Sequence, residues 1–121
     1  MEFNKLLDEL GINSREVLER FCGNENLLRR LIFKFPAEKT FSELEKAYEE
    51  GDYFNAEKAV HTLKGIAANF GFEALFKFSI IMLDDLRDEK TNLPNEFEDV
   101  KNEYNRLISH INTYVKHENN R

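Results

Sequence analysis

The chain is poor in the signals that mark sheet proteins, membrane proteins, disulfide-stapled proteins and nucleic-acid binders. Strand patterns are almost missing, which leaves an all-helical fold. No apolar run approaches the ~18 residues that cross a bilayer, so no membrane insertion is expected. The opening "MEFNKLLDEL" is acidic and amphipathic, without the basic-then-apolar order of a secretion signal. Cysteine occurs once, at Cys22. That excludes an intramolecular disulfide and a thiolate metal cluster and suits a reducing cytoplasm, with Cys22 expected as a small buried side chain. A basic stripe is also missing. The net charge is −6 and the pI about 5.1, so a nucleic-acid partner is not expected.

What is present fits one soluble domain. The 121 residues are 41 % apolar and 33 % charged, with no internal repeat or Gly/Ser linker to divide them. An initial methionine leans towards a free-standing protein.

Helix punctuation is abundant. A short helix fits residues 2–10, closed by Gly11. Asn13, with Glu16 in the capping-box position, opens a second that ends before Gly23, and Asn24 opens "ENLLRRLIFKF". Pro36 interrupts there, and Thr40 with Glu43 reads as the next capping pair. Whether 25–50 is one kinked helix or two stays open on periodicity alone. Asp52 caps a helix over 53–70 that Gly71 terminates, and residues 72–90 follow as helix. After the loop "TNLPN", Pro94 or Asn95 opens a last helix to about residue 117. Its apolar stripe is Phe97, Val100, Tyr104, Leu107, Ile111 and Tyr114. Short turns between helices favour antiparallel neighbours. The expected architecture is therefore an all-α, antiparallel up-and-down four-helix bundle over 24–117. Short capping helices precede it over 1–23, and a tail follows over 118–121.

The 53–70 helix carries an anomaly, "AVHTLKGIAANFG". A glycine in a helix interior costs roughly 1 kcal/mol relative to alanine. At about 100° per residue, Ala56, Val60, Leu63, Ala67 and Phe70 share one narrow sector, the core face. His61 falls about 140° from Ala56, outside it. Lys64, Gly65 and Ala68 follow on the side of His61. A neutral imidazole is a good nucleophile near pH 7, and a lysine one turn away offsets negative charge on an incoming phosphoryl group. Gly65 and Ala68 leave a shallow place for another protein's backbone. Phosphoryl transfer needs alignment and charge compensation more than an elaborate pocket. The alternative for Gly65, close packing between helices, remains open at this point.

The string "HTLKGIAANFG" resembles the motif of histidine-containing phosphotransfer (HPt) domains: a histidine, two residues, Lys-Gly, then a glycine. Here these fall on His61, Lys64, Gly65 and Gly71. "EEGDYFNAEKAVHTLKG" resembles the family's Gly-Asp turn into the phosphorylated helix, and "LERFCGNENLLRRLIFKF" its N-terminal segment. The resemblance implies a phosphoryl carrier without ATP-dependent activity of its own. His61 would accept the group from the aspartate of a receiver domain and pass it to another receiver, with Lys64 compensating charge. The partners implied are response-regulator receiver domains and a hybrid sensor histidine kinase, in the cytoplasm, with the chain expected as a monomer. No cofactor of its own is implied, since the Mg²⁺ of transfer belongs to the receiver. One position departs from the pattern: Leu83 stands where many members carry a polar residue, often glutamine. Arg87, one turn on, stands where some keep a basic residue and is a candidate phosphate contact.

Phe76, Ile80 and Leu83 suggest an apolar docking patch together with Ala68, with contact to another helix as the alternative for Phe76. Phe78 and Ile81, on the far side of the same helix, are expected beneath the N-terminal helices. A di-iron bundle enzyme is disfavoured because no Glu-x-x-His pair occurs; Glu57 with His61 has no second pair, and His110 and His117 stand alone. Neither a His-Glu-x-x-His string nor a phosphate-cradling glycine loop is present. The competing non-enzymatic reading is a helical adaptor that binds receiver domains or other signalling proteins without being phosphorylated.

Overall fold

A computed structural model describes residues 2–120, and among them helix is the sole regular structure. In chain order α1 spans Phe3–Glu9, α2 Ser14–Arg20, α3 Glu25–Lys34, α4 Thr40–Glu49, α5 Tyr53–Phe70, α6 Glu73–Arg87 and α7 Pro94–Asn119. A 3-10 turn, Phe35–Ala37, separates α3 from α4. It resolves the question at Pro36 in favour of two helices, because proline lacks the N–H and its ring crowds the preceding turn. α7 runs as helix into the expected tail, whose last residue, Arg121, lies outside the described residues.

Three of the four expected caps are formed. The side chains of Asn13, Asn24 and Asp52 accept the N–H groups of Glu16 (3.2 Å), Leu27 (3.0 Å) and Asn55 (3.2 Å). Each meets a backbone donor that the helix cannot satisfy internally. Thr40 does not cap α4. The turn at Phe35–Ala37 brings Glu38 to the helix start, and its carboxylate accepts the Thr40 N–H at 2.8 Å. Thr40 is instead buried inside the first turn of α4. α6 ends three residues sooner than expected, because Glu89 takes a left-handed φ of 63° and Lys90 folds back to the Asp85 carboxylate at 3.1 Å.

The core is aromatic as well as aliphatic. α4 meets α7 through the stacked rings of Phe41 and Tyr104 (centroids 4.2 Å apart) and of Tyr48 and Phe97 (4.7 Å). Offset stacking of this kind adds about 0.5–1.5 kcal/mol to the burial itself. The Tyr48 hydroxyl also accepts the Leu93 N–H at 3.1 Å, tying down the end of the loop before α7. Of the predicted α7 stripe, five residues are buried and Tyr104 is half-buried under Phe41.

The two N-terminal helices cover different neighbours. α1 lies on α7, where the Arg106 guanidinium donates to the Glu9 carbonyl at 2.8 Å and His110 Nδ1 lies 3.3 Å from the Glu9 carboxylate. That contact accounts for His110. α2 lies on the end of α5, where Arg20 donates to the carbonyls of Ala68 (2.6 Å) and Asn69 (3.1 Å). Those carbonyls belong to the last helical turn, where the Ala68 carbonyl also accepts the Gly71 N–H at 3.2 Å. Cys22 is exposed, contrary to the burial expected from its type. It sits at φ 54° in the turn that closes α2, where the Gly23 N–H returns to the Leu18 carbonyl at 2.7 Å, and this turn carries its side chain away from the core.

Candidate functional site

Two opposite faces of α5 have different tasks. Ala56, Val60, Leu63 and Ala67 are fully buried against the neighbouring helices. Phe70, at the edge of that sector, is half-buried and stacks on Phe72 with centroids 5.3 Å apart. On the other face His61, Gly65 and Ala68 are exposed and Lys64 is half-buried. The 3.6-residue period turns His61 outward because its neighbour Val60 is turned inward. Lysines stand one turn to either side of the imidazole, Lys58 before it and Lys64 after it. Neither has an ion-pair partner among the described residues.

Gly65 and Gly71 have different reasons to be glycine. A Cβ built on Gly65 meets nothing within 4 Å. Close packing between helices therefore does not require this glycine, and the alternative left open by the spacing is removed. Gly71 adopts φ 74° at the end of α5. A Cβ there would lie 2.7 Å from Cγ2 of Val17. Gly71 reverses the chain and lets α2 approach.

After the reversal α6 returns along α5, and Arg87 at its end lies 4.0 Å from the Glu57 carboxylate. Glu57 is one turn before His61, so the structure assigns Arg87 to an exposed ion pair beside the histidine. Leu83 departs from the expected docking role. It is 2 % exposed and belongs, with Ser79, Met82 and Leu86, to the buried face of α6. Leu83 thus presents neither a polar group to the ring nor an apolar surface to a partner. Because α6 is apolar nearly all round, periodicity left its phase undefined.

Three of the four docking candidates do come together. Ala68, Phe76 and Ile80 line a groove of about 550 Å³ between α5, α6 and α2. Ile81 also lines it and is 46 % exposed, which corrects its expected place beneath the N-terminal helices. Phe78 is partly buried against the core. The third wall, Val17 and Arg20 of α2, escaped the sequence reading. Arg20 reaches its partners across nearly fifty residues of chain, and no local pattern encodes a contact of that range. Among the described residues no three His, Cys, Asp or Glu side chains gather as a metal site. No helix is long and apolar enough to cross a membrane.

A family model described as "Hpt domain" matches residues 30–110. The match spans two thirds of the chain and takes in all of α5 and α6, with His61 between its limits. It begins inside α3, so the resemblance noted over 18–35 is covered only from residue 30 onward, and α1 and α2 lie outside it. Comparison with curated proteins gave no match, and neither did comparison with solved structures. With its helices and this match, the chain belongs to the Hpt domain family, the phosphotransfer modules of two-component phosphorelays, which carry phosphoryl groups to and from receiver domains.

Proposed function

We propose that His61 is the phosphoryl acceptor of this module. The single observation carrying the assignment is its exposure at the middle of α5, beside Lys64 and an unexplained exposed glycine. The lone pair of the unprotonated ring nitrogen attacks the phosphorus of a receiver's aspartyl phosphate. An N–P bond forms as the P–O bond to the aspartate breaks, and the electron pair returns to the carboxylate. The other ring nitrogen keeps its proton. Lys64 supplies positive charge next to the transferring oxygens, and electrostatic compensation of this kind carries most of the catalysis in phosphoryl transfer. Mg²⁺ is assigned to the partner's acidic pocket. Gly65 and Ala68 leave the partner's backbone room beside the ring, and the groove formed by Ala68, Phe76 and Ile80 receives the partner's apolar contact. Transfer to a second receiver reverses the same step.

The finer features belong to the same reading. α4, α5, α6 and α7 form an antiparallel up-and-down four-helix bundle that α3 leads into, with α1 and α2 as its caps, in one domain. The protein works as a cytoplasmic monomer between a hybrid sensor kinase and response regulators, with no ATP-dependent activity of its own. Arg87 reaches the phosphate only by leaving Glu57.

Mixing the chain with a phosphorylated receiver and Mg²⁺ should place acid-labile, base-stable phosphate on it. His61→Gln should abolish that label and leave the melting temperature within about 2 °C, because an exposed side chain contributes little to stability. Retention of label by the variant would overturn the assignment. A second reading, an unphosphorylated adaptor, draws on Leu83, since a buried apolar side chain stands where the family pattern often has a polar one. It predicts binding to receivers with no label from any of them.

A further inference from the structure

Among the described residues the most exposed large apolar side chain is Phe54, at 68 %. It stands seven residues before His61, and Ala68 stands seven after it. At 100° per residue, seven steps return to within about 20° of the starting direction, so the three share one line of α5. All three are exposed. The groove by Ala68 lies on one side of His61 and Phe54 on the other, each about 10 Å from it along the axis.

Phe54 also has a cation on its ring. The Lys58 ammonium sits 4.6 Å from its ring centroid, a cation–π contact that favours this orientation of the exposed side chain. Beside the ring is a shallow cavity of about 310 Å³, bounded by Phe54, Glu57, Leu86 and Lys90. Leu86, only 7 % exposed, gives it an apolar floor. An exposed aromatic next to a concave seat with an apolar floor and a charged rim has the form of a contact anchor.

We propose that Phe54, with Lys58 on its ring, is a second anchor for the receiver domain that exchanges phosphate with His61, and that it selects among receivers. The inference rests on His61 being the acceptor. An interface of ordinary size covers about 800 Å² per partner, a patch with a radius of about 16 Å. Centred on His61, such a patch includes Phe54. The receiver surface that fits carries an apolar side chain for the seat between Phe54 and Leu86, with a carboxylate near it for Lys58. Anchors of this type act on the stability of the encounter rather than on the chemical step.

The test is phosphotransfer from a labelled receiver to the wild-type chain, Phe54→Ala and Phe54→Leu, with receiver concentration varied in single-turnover mode. For Phe54→Ala the half-saturating concentration should rise roughly tenfold, with the rate at saturation and the circular dichroism unchanged. Phe54→Leu should recover part of the loss, and the size of the effect should differ between receivers. Wild-type concentration dependence in Phe54→Ala, while His61→Gln abolishes labelling, would overturn this inference and leave the acceptor assignment standing. Failure of the wild-type chain to take label from any receiver would overturn both.

Discussion

Gly65, inside α5, and Gly71, just past its end, stand six residues apart, yet the structure treats them in opposite ways. Around Gly71 everything is close: a left-handed φ, the Val17 methyl group, and Arg20 on the carbonyls of the preceding turn. Around Gly65 there is open space. The first is explained by the fold of this chain alone. The second weakens a helix that would be more stable with alanine, and no neighbour within the described residues requires it. Sequence motifs mix these two kinds of residue, and the space around a missing Cβ separates them.

The sharpest way to break the comparison is to put the same methyl group at both positions. Gly71→Ala should destabilise by about 2 kcal/mol or more, since a left-handed alanine costs about 1–2 kcal/mol and the buried Val17 must move as well. Denaturant unfolding measures this, and an unchanged midpoint would show that α2 is only loosely held. Gly65→Ala should do the reverse, stabilising by about 0.5–1 kcal/mol through helix propensity while slowing phosphate uptake from a receiver. Faster or unchanged uptake would remove the steric reason for that glycine.

The smallest effect concerns the start of α5. Asn55 donates to Asp52 from its side-chain amide at 2.6 Å and from its backbone N–H at 3.2 Å. Both bonds lower the carboxyl below its ordinary range, the side-chain bond more. A carboxyl depressed in the folded state stabilises above its unfolded pKa, and the gain fades as pH falls through the folded value. Asp52→Asn keeps a capping oxygen but should lose that acid-side dependence. Melting temperatures of the two proteins should therefore draw together as pH falls below the ordinary carboxylate range. A constant gap between them would assign the cap to hydrogen bonding without charge.

Much of the fold was legible in the chain because its signals are local. The caps at Asn13, Asn24 and Asp52, the break at Pro36 and the end at Gly71 each depend on a few adjacent residues, and the structure shows them. Thr40 failed as a cap because Glu38, brought round by the 3-10 turn, was the better-placed acceptor. Cys22 failed because a turn conformation outweighed residue type. For the site, periodicity located His61 and its strip on α5, where the apolar and polar faces are distinct. It did not locate the exposed side of α6, where Leu83 and Ile81 exchange the roles expected of them.

Periodicity and capping chemistry by themselves determined most of the helices, the caps at Asn13, Asn24 and Asp52, and the outward direction of His61, because backbone hydrogen bonding and the 3.6-residue turn act over short spans. Tertiary structure alone decided which flank of α6 is buried, that Arg87 pairs with Glu57, and that α2 walls a groove at the end of α5. Those outcomes depend on contacts between residues far apart in the chain, where packing chooses among faces that a nearly uniform apolar pattern leaves equivalent.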